Sequence, residues 1–264
     1  YWDSGKYLHI FVADLLANGV GTGKDITGEK SAWDTPLAPY FDHAEIAWSP
    51  DGKQLAYTCK PLTGTEYAVS TDSDIFVYDL QSGTTRNICK EVAHLPFVGY
   101  DKYPVWSPSG SKIAFRSQER AGNEADKERL MVYDLVSGDV AYLTKNFDYH
   151  ATNVVWSQDE TTLYFIAPIE ATHQICSVKA DGTGEVEVLT KGDHDINSFE
   201  ICGGRCVGSV MTISMAPELF EFDLTNGSMT KLTAVNDFVY NNIKMGEVQK
   251  RWVKTTDGKQ MLVW

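Results

Sequence analysis

An all-β chain folded as a β-propeller of four-stranded antiparallel blades is predicted by three observations: an internal repeat, the turn chemistry inside each copy, and a composition rich in strand formers. One half of the repeat reads Trp48-Ser49-Pro50-Asp51-Gly52. It returns as Trp106-Ser107-Pro108-Ser109-Gly110 and as Trp156-Ser157-Gln158-Asp159-Glu160, at offsets of 58 and 50 residues. The other half reads Ile75-Phe76-Val77-Tyr78-Asp79-Leu80-Gln81-Ser82-Gly83, with copies at 130–138 and 219–227 and weaker ones at 9–15 and 175–182. Anchored on Asp79, the copies fall at positions 14, 79, 134, 179 and 223, in steps of 65, 55, 45 and 44. A repeat of this length is one supersecondary unit that needs neighbours to cover it.

Each copy reads as four short strands. The first ends in Trp and is followed by Ser-Pro-Asp-Gly, where Pro presets φ for the turn and Gly takes the left-handed position. The second alternates, as in Lys53-Gln54-Leu55-Ala56-Tyr57. A third ends in Asp-Leu, and a Ser-Gly or Asn-Gly turn leads to a fourth such as Val140-Ala141-Tyr142. Stacking such sheets radially shields their edges. Four blades are expected near 44–90, 101–145, 151–191 and 196–233, with residues 1–30 supplying the last two strands of a partial one. The propeller is expected to run through 1–246. Residues 247–264 differ in kind and read as a hairpin turning at Asp257-Gly258. Trp48, Trp106 and Trp156 occupy one repeat position and are expected to be equivalent core residues.

Composition supports this class. The 264 residues are 43% hydrophobic, 12% aromatic and 22% charged, with 13 Tyr, 11 Phe and 7 Trp, which favours strands and a sizeable core. The net charge of -13 repels phosphate backbones and anionic lipid surfaces, so neither nucleic acid nor membrane is an expected partner. No apolar run approaches the roughly 18 residues of a membrane span. The start at Tyr1, without Met, is expected of a cut within a longer chain. Five irregularly spaced cysteines do not make a disulfide framework. Cys202 and Cys206 flank Gly203-Gly204-Arg205, and a cross-strand disulfide is conceivable there. No cofactor or metal site is expected: Asp193-His194-Asp195, the one metal-like corner, reads as turn capping.

Trp-Ser-Pro-Asp-Gly repeats are shared by many TolB-like and WD40-like propellers. A sharper pattern is the ordered set Thr22-Gly23-Lys24-Asp25, Tyr67-Ala68-Val69-Ser70-Thr71-Asp72-Ser73-Asp74-Ile75, Glu119-Arg120-Ala121-Gly122-Asn123-Glu124-Ala125-Asp126 and Arg251-Trp252-Val253-Lys254-Thr255-Thr256-Asp257-Gly258. With it the chain resembles bacterial dipeptidyl-peptidases of the prolyl oligopeptidase family, of the dipeptidyl-peptidase V type of Bacteroidetes. The resemblance covers essentially the whole chain. It implies a seven- or eight-bladed parent, a periplasmic or secreted location, peptide substrates, and a following α/β-hydrolase domain that the terminal hairpin leads into. It leaves a homodimer of the full-length enzyme open. The family's nucleophile sits in a Gly-x-Ser-x-Gly elbow. None occurs in these residues, so this chain carries no catalytic residue.

The candidate site lies on the loops. Connections between second and third strands, residues 59–73, 116–129, 167–174 and 214–218, leave one face of a propeller, and the first two are longer than a hairpin requires. In the resembled family this face covers the catalytic domain and helps select substrate. Glu119, Arg120 and Glu124 are the leading candidates, because a dipeptidyl-peptidase must hold a free α-ammonium and a carboxylate does this by a charge-assisted hydrogen bond. The competing reading makes 119–129 a solvated, self-paired loop. Glu66 and Tyr67 on the other long loop are candidates for a wall of the same cavity, against simple packing of the Tyr. The adjacent Glu pair that anchors amines in a sister branch is not evident. A non-enzymatic TolB-like binding propeller is the alternative function. A sialidase-like reading fails, since its aromatic follows the Ser-x-Asp-x-Gly turn, whereas Trp48 and Trp106 precede it.

Overall fold

Short polar side chains in the repeat decide where each strand turns. In three first hairpins the Ser after the Trp position accepts the backbone N–H five residues on: Ser49 Oγ from Gln54 at 2.9 Å, Ser107 Oγ from Lys112 at 3.2 Å, Ser157 Oγ from Thr162 at 3.0 Å. In the second half the repeated Asp holds the next turn. Asp79 Oδ1 accepts the amides of Gln81 and Ser82, Asp134 Oδ1 those of Val136 and Ser137, and Asp223 Oδ1 that of Thr225. The glycines closing these turns, Gly83, Gly138 and Gly227, have φ of 69°, 76° and 72°, a region that disfavours a Cβ.

The computed structural model describes residues 5–28, 31–36, 45–92 and 97–264. At the N-terminal end β1 (Phe11–Val12) pairs with β4 (Lys24–Asp25), and a small hairpin of β2 (Leu15–Leu16) and β3 (Gly19–Val20) extends from between them. Blade one is β5 (Ile46–Trp48), β6 (Gln54–Cys59), β7 (Asp74–Asp79) and β8 (Thr85–Asn87), with helix α1 (Gly64–Val69) between β6 and β7. Blade two is β9 (Asp101–Trp106), β10 (Lys112–Ser117), β11 (Arg129–Asp134) and β12 (Val140–Tyr142). Blade three is β13 (Thr152–Trp156), β14 (Thr162–Ile169), β15 (Thr172–Lys179) and β16 (Glu187–Val188). Blade four is β17 (Asp195–Cys202), β18 (Arg205–Thr212), β19 (Met215–Phe222) and β20 (Met229–Lys231). Helix α2 (Asp237–Tyr240) and a separate hairpin of β21 (Arg251–Lys254) and β22 (Gln260–Val263) complete the chain.

The strands group into two compact units: residues 1–150 with 158–161 and 179–185, and residues 151–157, 162–178 and 186–264. In the first unit, blade one is apolar on both faces and the parity of its strands sorts them. Leu55, Tyr57 and Cys59 of β6 join Ile10, Ile26 and Tyr78 in one cluster. Ala56 turns the other way and joins Ile75, Val77, Trp106, Ile113, Phe115, Met131 and Tyr133, the seam with blade two. In the second unit Ile166, Ile175, Ile196, Phe199, Val210 and Phe222 form the core. There the third and fourth blades meet edge to edge, with His173 opposite Asp195 in a parallel step. Asp195 Oδ1 accepts the His173 amide and lies 2.7 Å from its Nδ1, so this corner ties two blades together.

Two expectations are corrected. Trp48, Trp106 and Trp156 do end the first strands in the same register, opposite Leu55, Ile113 and Leu163. Trp106 and Trp156 are 8% and 7% exposed, but Trp48 is 50% exposed. For Trp106 the cover is the first strand of the preceding blade. Trp106 packs under β5 and its Nε1 donates to the Ala47 carbonyl at 2.9 Å. No strand equivalent to β5 precedes Trp48 among the described residues. The conceived Cys202–Cys206 disulfide is also excluded by register: Cys202 stands opposite Arg205 and Cys206 opposite Ile201, so the two thiols point to opposite faces. Cys202 is exposed and Cys206 buried, and both are free.

Trp106→Ala is expected to cost about 3–5 kcal/mol, as for a large buried aromatic, and Trp48→Ala distinctly less. Urea unfolding of the two variants checks this; equal costs would mean that the seam is not what holds blade two. A pH dependence comes from blade four. Glu218, buried in β19, accepts from the Thr233 hydroxyl, the amides of Val235 and Asn236, and Asn236 Nδ2. The Thr233 hydroxyl foremost, then these amides, hold its carboxyl down to about 2, against an ordinary 4.5. A carboxyl depressed in the folded state stabilises fully above its unfolded value and loses that contribution as pH falls through about 2. The stability gap between the wild-type chain and Glu218→Gln should therefore be full above pH 4.5 and close toward pH 2 in urea midpoints.

Candidate functional site

Both long connections belong to the first unit, and they are laced together. The 60–73 connection carries α1, whose six residues are too few to hold themselves helical in water. Lys60 stabilises its C-terminal end. The buried Nζ donates to the carbonyls of Tyr67 at 2.8 Å and Ser70 at 2.7 Å and sits 3.9 Å from the Tyr67 ring centroid. The 118–128 connection is closed from within. Gln118 Nε2 donates to the carbonyls of Glu124 and Asp126, both at 3.0 Å, and Arg120 binds the Asp126 carboxylate through two nitrogens. Asn123 Nδ2 reaches the same carboxylate at 2.6 Å. Its root is held by the buried Arg129, which donates to the Ser117 hydroxyl and to the carbonyls of Ser117 and Gln118. The Gly122 amide then donates to Thr71 Oγ1 at 2.7 Å, joining one loop to the other.

A charged constellation lies at this junction. Tyr100 donates its hydroxyl to Glu124 Oε1 at 3.2 Å, and Lys102 lies 4.0 Å from the centroid of the Tyr100 ring. Burial draws the Lys60 ammonium below its ordinary pKa; the nearby Lys102 adds to this and Glu124 opposes it. Burial likewise lowers Lys102, with Glu45, Glu128 and Glu124 pulling the other way. Arg116 pairs with Glu128 at 2.6 Å and stacks on Tyr103, 3.7 Å from the ring centroid. The arrangement is a rim in which two buried cations face a carboxylate. It holds loops in place, and among the described residues it brings no nucleophile beside a base.

The five residues singled out from sequence thus separate. Glu124 is committed to Tyr100 and to the field of Lys60 and Lys102. Arg120 is committed to Asp126, in keeping with the self-paired reading of that residue. Tyr67 is half-buried beneath Lys60, and Glu66 lies exposed in the first turn of α1. Glu119 is exposed and makes no hydrogen bond or ion pair among the described residues. Glu170, in the second unit, pairs with Lys250. Sequence reasoning missed Lys60, Tyr100 and Lys102, since a buried lysine reads in sequence as any surface lysine.

With this geometry in hand the chain can be set beside known proteins. No protein-family model matches it. Over 256 residues, 97% of its length, it is 35% identical to dipeptidyl-peptidase 5 of Porphyromonas gingivalis and 36% identical to dipeptidyl-peptidase 5 of Porphyromonas endodontalis. Among solved structures it resembles an acylaminoacyl peptidase in complex with Z-Gly-Gly-Phe-chloromethyl ketone, with a TM-score of 0.62 and 18% identity over 82% of this chain and 31% of that one. Putative TolB from Agrobacterium tumefaciens aligns at a TM-score of 0.56 and 19% identity, covering 84% of this chain and 73% of that one. The β-propeller domain of the trilobed protease from Pyrococcus furiosus aligns at 0.56 and 17%, covering 86% and 62%. The fold is therefore a β-propeller of the kind found in peptidases and in TolB. Within that class the chain is a homologue of dipeptidyl-peptidase 5 along 97% of its own length, and it spans 36% of the length of the two Porphyromonas relatives.

One close approach supports the rim. A Cβ on Gly99 would lie 2.7 Å from the Gln118 carbonyl oxygen and 2.9 Å from that of Arg120, both backbone atoms. Gly99→Ala is expected to cost about 1–3 kcal/mol and to push the 118–128 loop outward. Urea unfolding with limited proteolysis of that loop measures both; an unchanged midpoint would show that the loop yields freely.

Proposed function

We propose that this chain is the propeller portion of a serine exopeptidase that releases dipeptides from peptide amino termini, with catalysis in an α/β-hydrolase domain outside these residues. The rim made by the two long loops gates access to that domain, and one of its carboxylates anchors the substrate's ammonium. The observation that carries this reading is the match to dipeptidyl-peptidase 5 along 97% of the chain. The terminal hairpin is consistent with it. Trp252, Val253 and Met261 are 51%, 45% and 49% exposed, and a two-stranded hairpin with apolar residues on both faces needs a partner surface. A periplasmic or secreted location goes with this reading.

The geometry favours Glu119 over Glu124 as the anchor. An incoming ammonium at Glu124 would have to share the carboxylate with Tyr100 beside two buried lysines. Glu119 has its oxygens unengaged, and covering by the hydrolase domain would desolvate it and strengthen a charge-assisted bond. Tyr67 and Glu66 then line the approach, and Arg120 serves the loop. A non-enzymatic binding propeller rests only on the fold likeness to TolB.

Full-length enzyme carrying Glu119→Gln tests this. Loss of a hydrogen bond to a charged group, about 1.5–3 kcal/mol, should raise KM for free-amine dipeptidyl substrates roughly ten- to hundredfold. Amino-blocked esters should be nearly unaffected. Unchanged dipeptidyl kinetics would place the amine elsewhere and leave this loop a solvated surface segment.

A further inference from the structure

Two aspartates and a cysteine converge where blades one and two meet. Asp74 and Asp101 open β7 and β9, and a parallel bridge between Ser73 and Tyr100 sets them side by side. Cys89 follows β8. One ligand atom from each of the three lies within 4.8 Å of the others, and all three residues are buried, Asp101 with no exposed surface.

The donors nearby do not satisfy this cluster. Neither Asp101 oxygen has a hydrogen-bond partner, and Asp74 Oδ1 has none beyond an ion pair with Lys90 at 3.4 Å. The surrounding amides are used otherwise: Asp101 N–H bonds the Ser73 carbonyl, Cys89 and Lys90 N–H bond Asn87 Oδ1, and Ile75 N–H points at Cys89 Sγ. Asn87 Nδ2 serves only Asp74 Oδ2. The donors beside Asp101 are the Ser117 hydroxyl, which accepts from Arg129 and keeps its own O–H, and the Cys89 thiol, and neither is in hydrogen-bond geometry with the Asp101 oxygens. An unpartnered carboxylate is costly to bury, so something must neutralise it.

We propose that Asp74, Cys89 and Asp101 bind a thiophilic divalent cation of the zinc class. Calcium and magnesium take oxygen ligands, whereas a thiolate with two carboxylates suits zinc. Zinc–ligand distances of about 2.0–2.3 Å bring donors to roughly 3.5 Å from each other, so small side-chain rotations close the site. Lys90, its side chain 51% exposed, bridges Asp72 and Asp74 and can swing outward as the cation takes Asp74. Coordination releases the Cys89 thiol proton, and any carboxyl proton, to solvent. Burial raises the pKa of all three groups, a direction the cation would reverse. The bound ion would link β7, the segment after β8, and β9 at the roots of the laced loops.

The test uses the 264-residue chain with Cys202→Ser, which removes the one exposed thiol. After chelation, cobalt(II) or zinc is added to folded protein and, because the site is closed, also during refolding from urea. The expected result is one equivalent of metal retained on dialysis, a thiolate-to-cobalt charge-transfer band in the near ultraviolet, and a higher Tm with zinc. Cys89→Ser should abolish the band and Asp101→Asn should weaken binding by at least about tenfold. Lys90→Met keeps every ligand, removes the competing ammonium and should tighten binding, which keeps the test decisive if the other variants fold poorly. No band in either preparation, or a band unchanged in Cys89→Ser, overturns the proposal and leaves the three as a buried cluster neutralised by protons. A Lys90→Met chain that binds no tighter counts against it equally.

Discussion

A four-stranded sheet that is apolar on both faces cannot cover either by itself, and the rest of the first unit follows from that constraint. In blade one, Leu55 and Ala56 are neighbours in sequence yet belong to different clusters, one toward β1 and β4 and the other toward blade two. Trp106 is the point where the constraint is most visible, since its ring fills the seam and its indole N–H satisfies the Ala47 carbonyl. Trp48 begins a similar turn and has the same register but no such cover among the described residues, and half of its surface is open. Burial here is a property of the neighbour as much as of the residue.

The same seam organises the loops. β7 and β9 begin beside one another, so the connections feeding into them and out of β10 are brought together, and Thr71 with Gly122 ties the two long ones directly. Side chains that would be ordinary surface groups in isolated hairpins become interior ones. Lys60 and Lys102 are buried as a result, each over an aromatic ring and each offset by nearby carboxylates. The same packing leaves Glu119 exposed, with no hydrogen bond or ion pair among the described residues. The buried Asp74, Cys89 and Asp101 sit at the root of the same junction.

Blade number, strand order and turn position were legible in the sequence because they depend on local chemistry. Ser49, Ser107 and Ser157 accept the same amide in three hairpins, and Asp79, Asp134 and Asp223 hold the same turn in three others, so a repeated residue implied a repeated bond. The four expected blades coincide with β5–β8, β9–β12, β13–β16 and β17–β20 to within a few residues. What was decided only by tertiary structure depends on pairs distant in the chain. Register across one hairpin placed Cys202 and Cys206 on opposite faces, and packing across a blade seam exposed Trp48 and buried Trp106. Folding of the loops onto each other consumed Arg120 and Glu124, spared Glu119 and drew Lys60 inside. Periodicity records which face a side chain takes, whereas the partner waiting on that face comes from another blade, and no local pattern carries its identity.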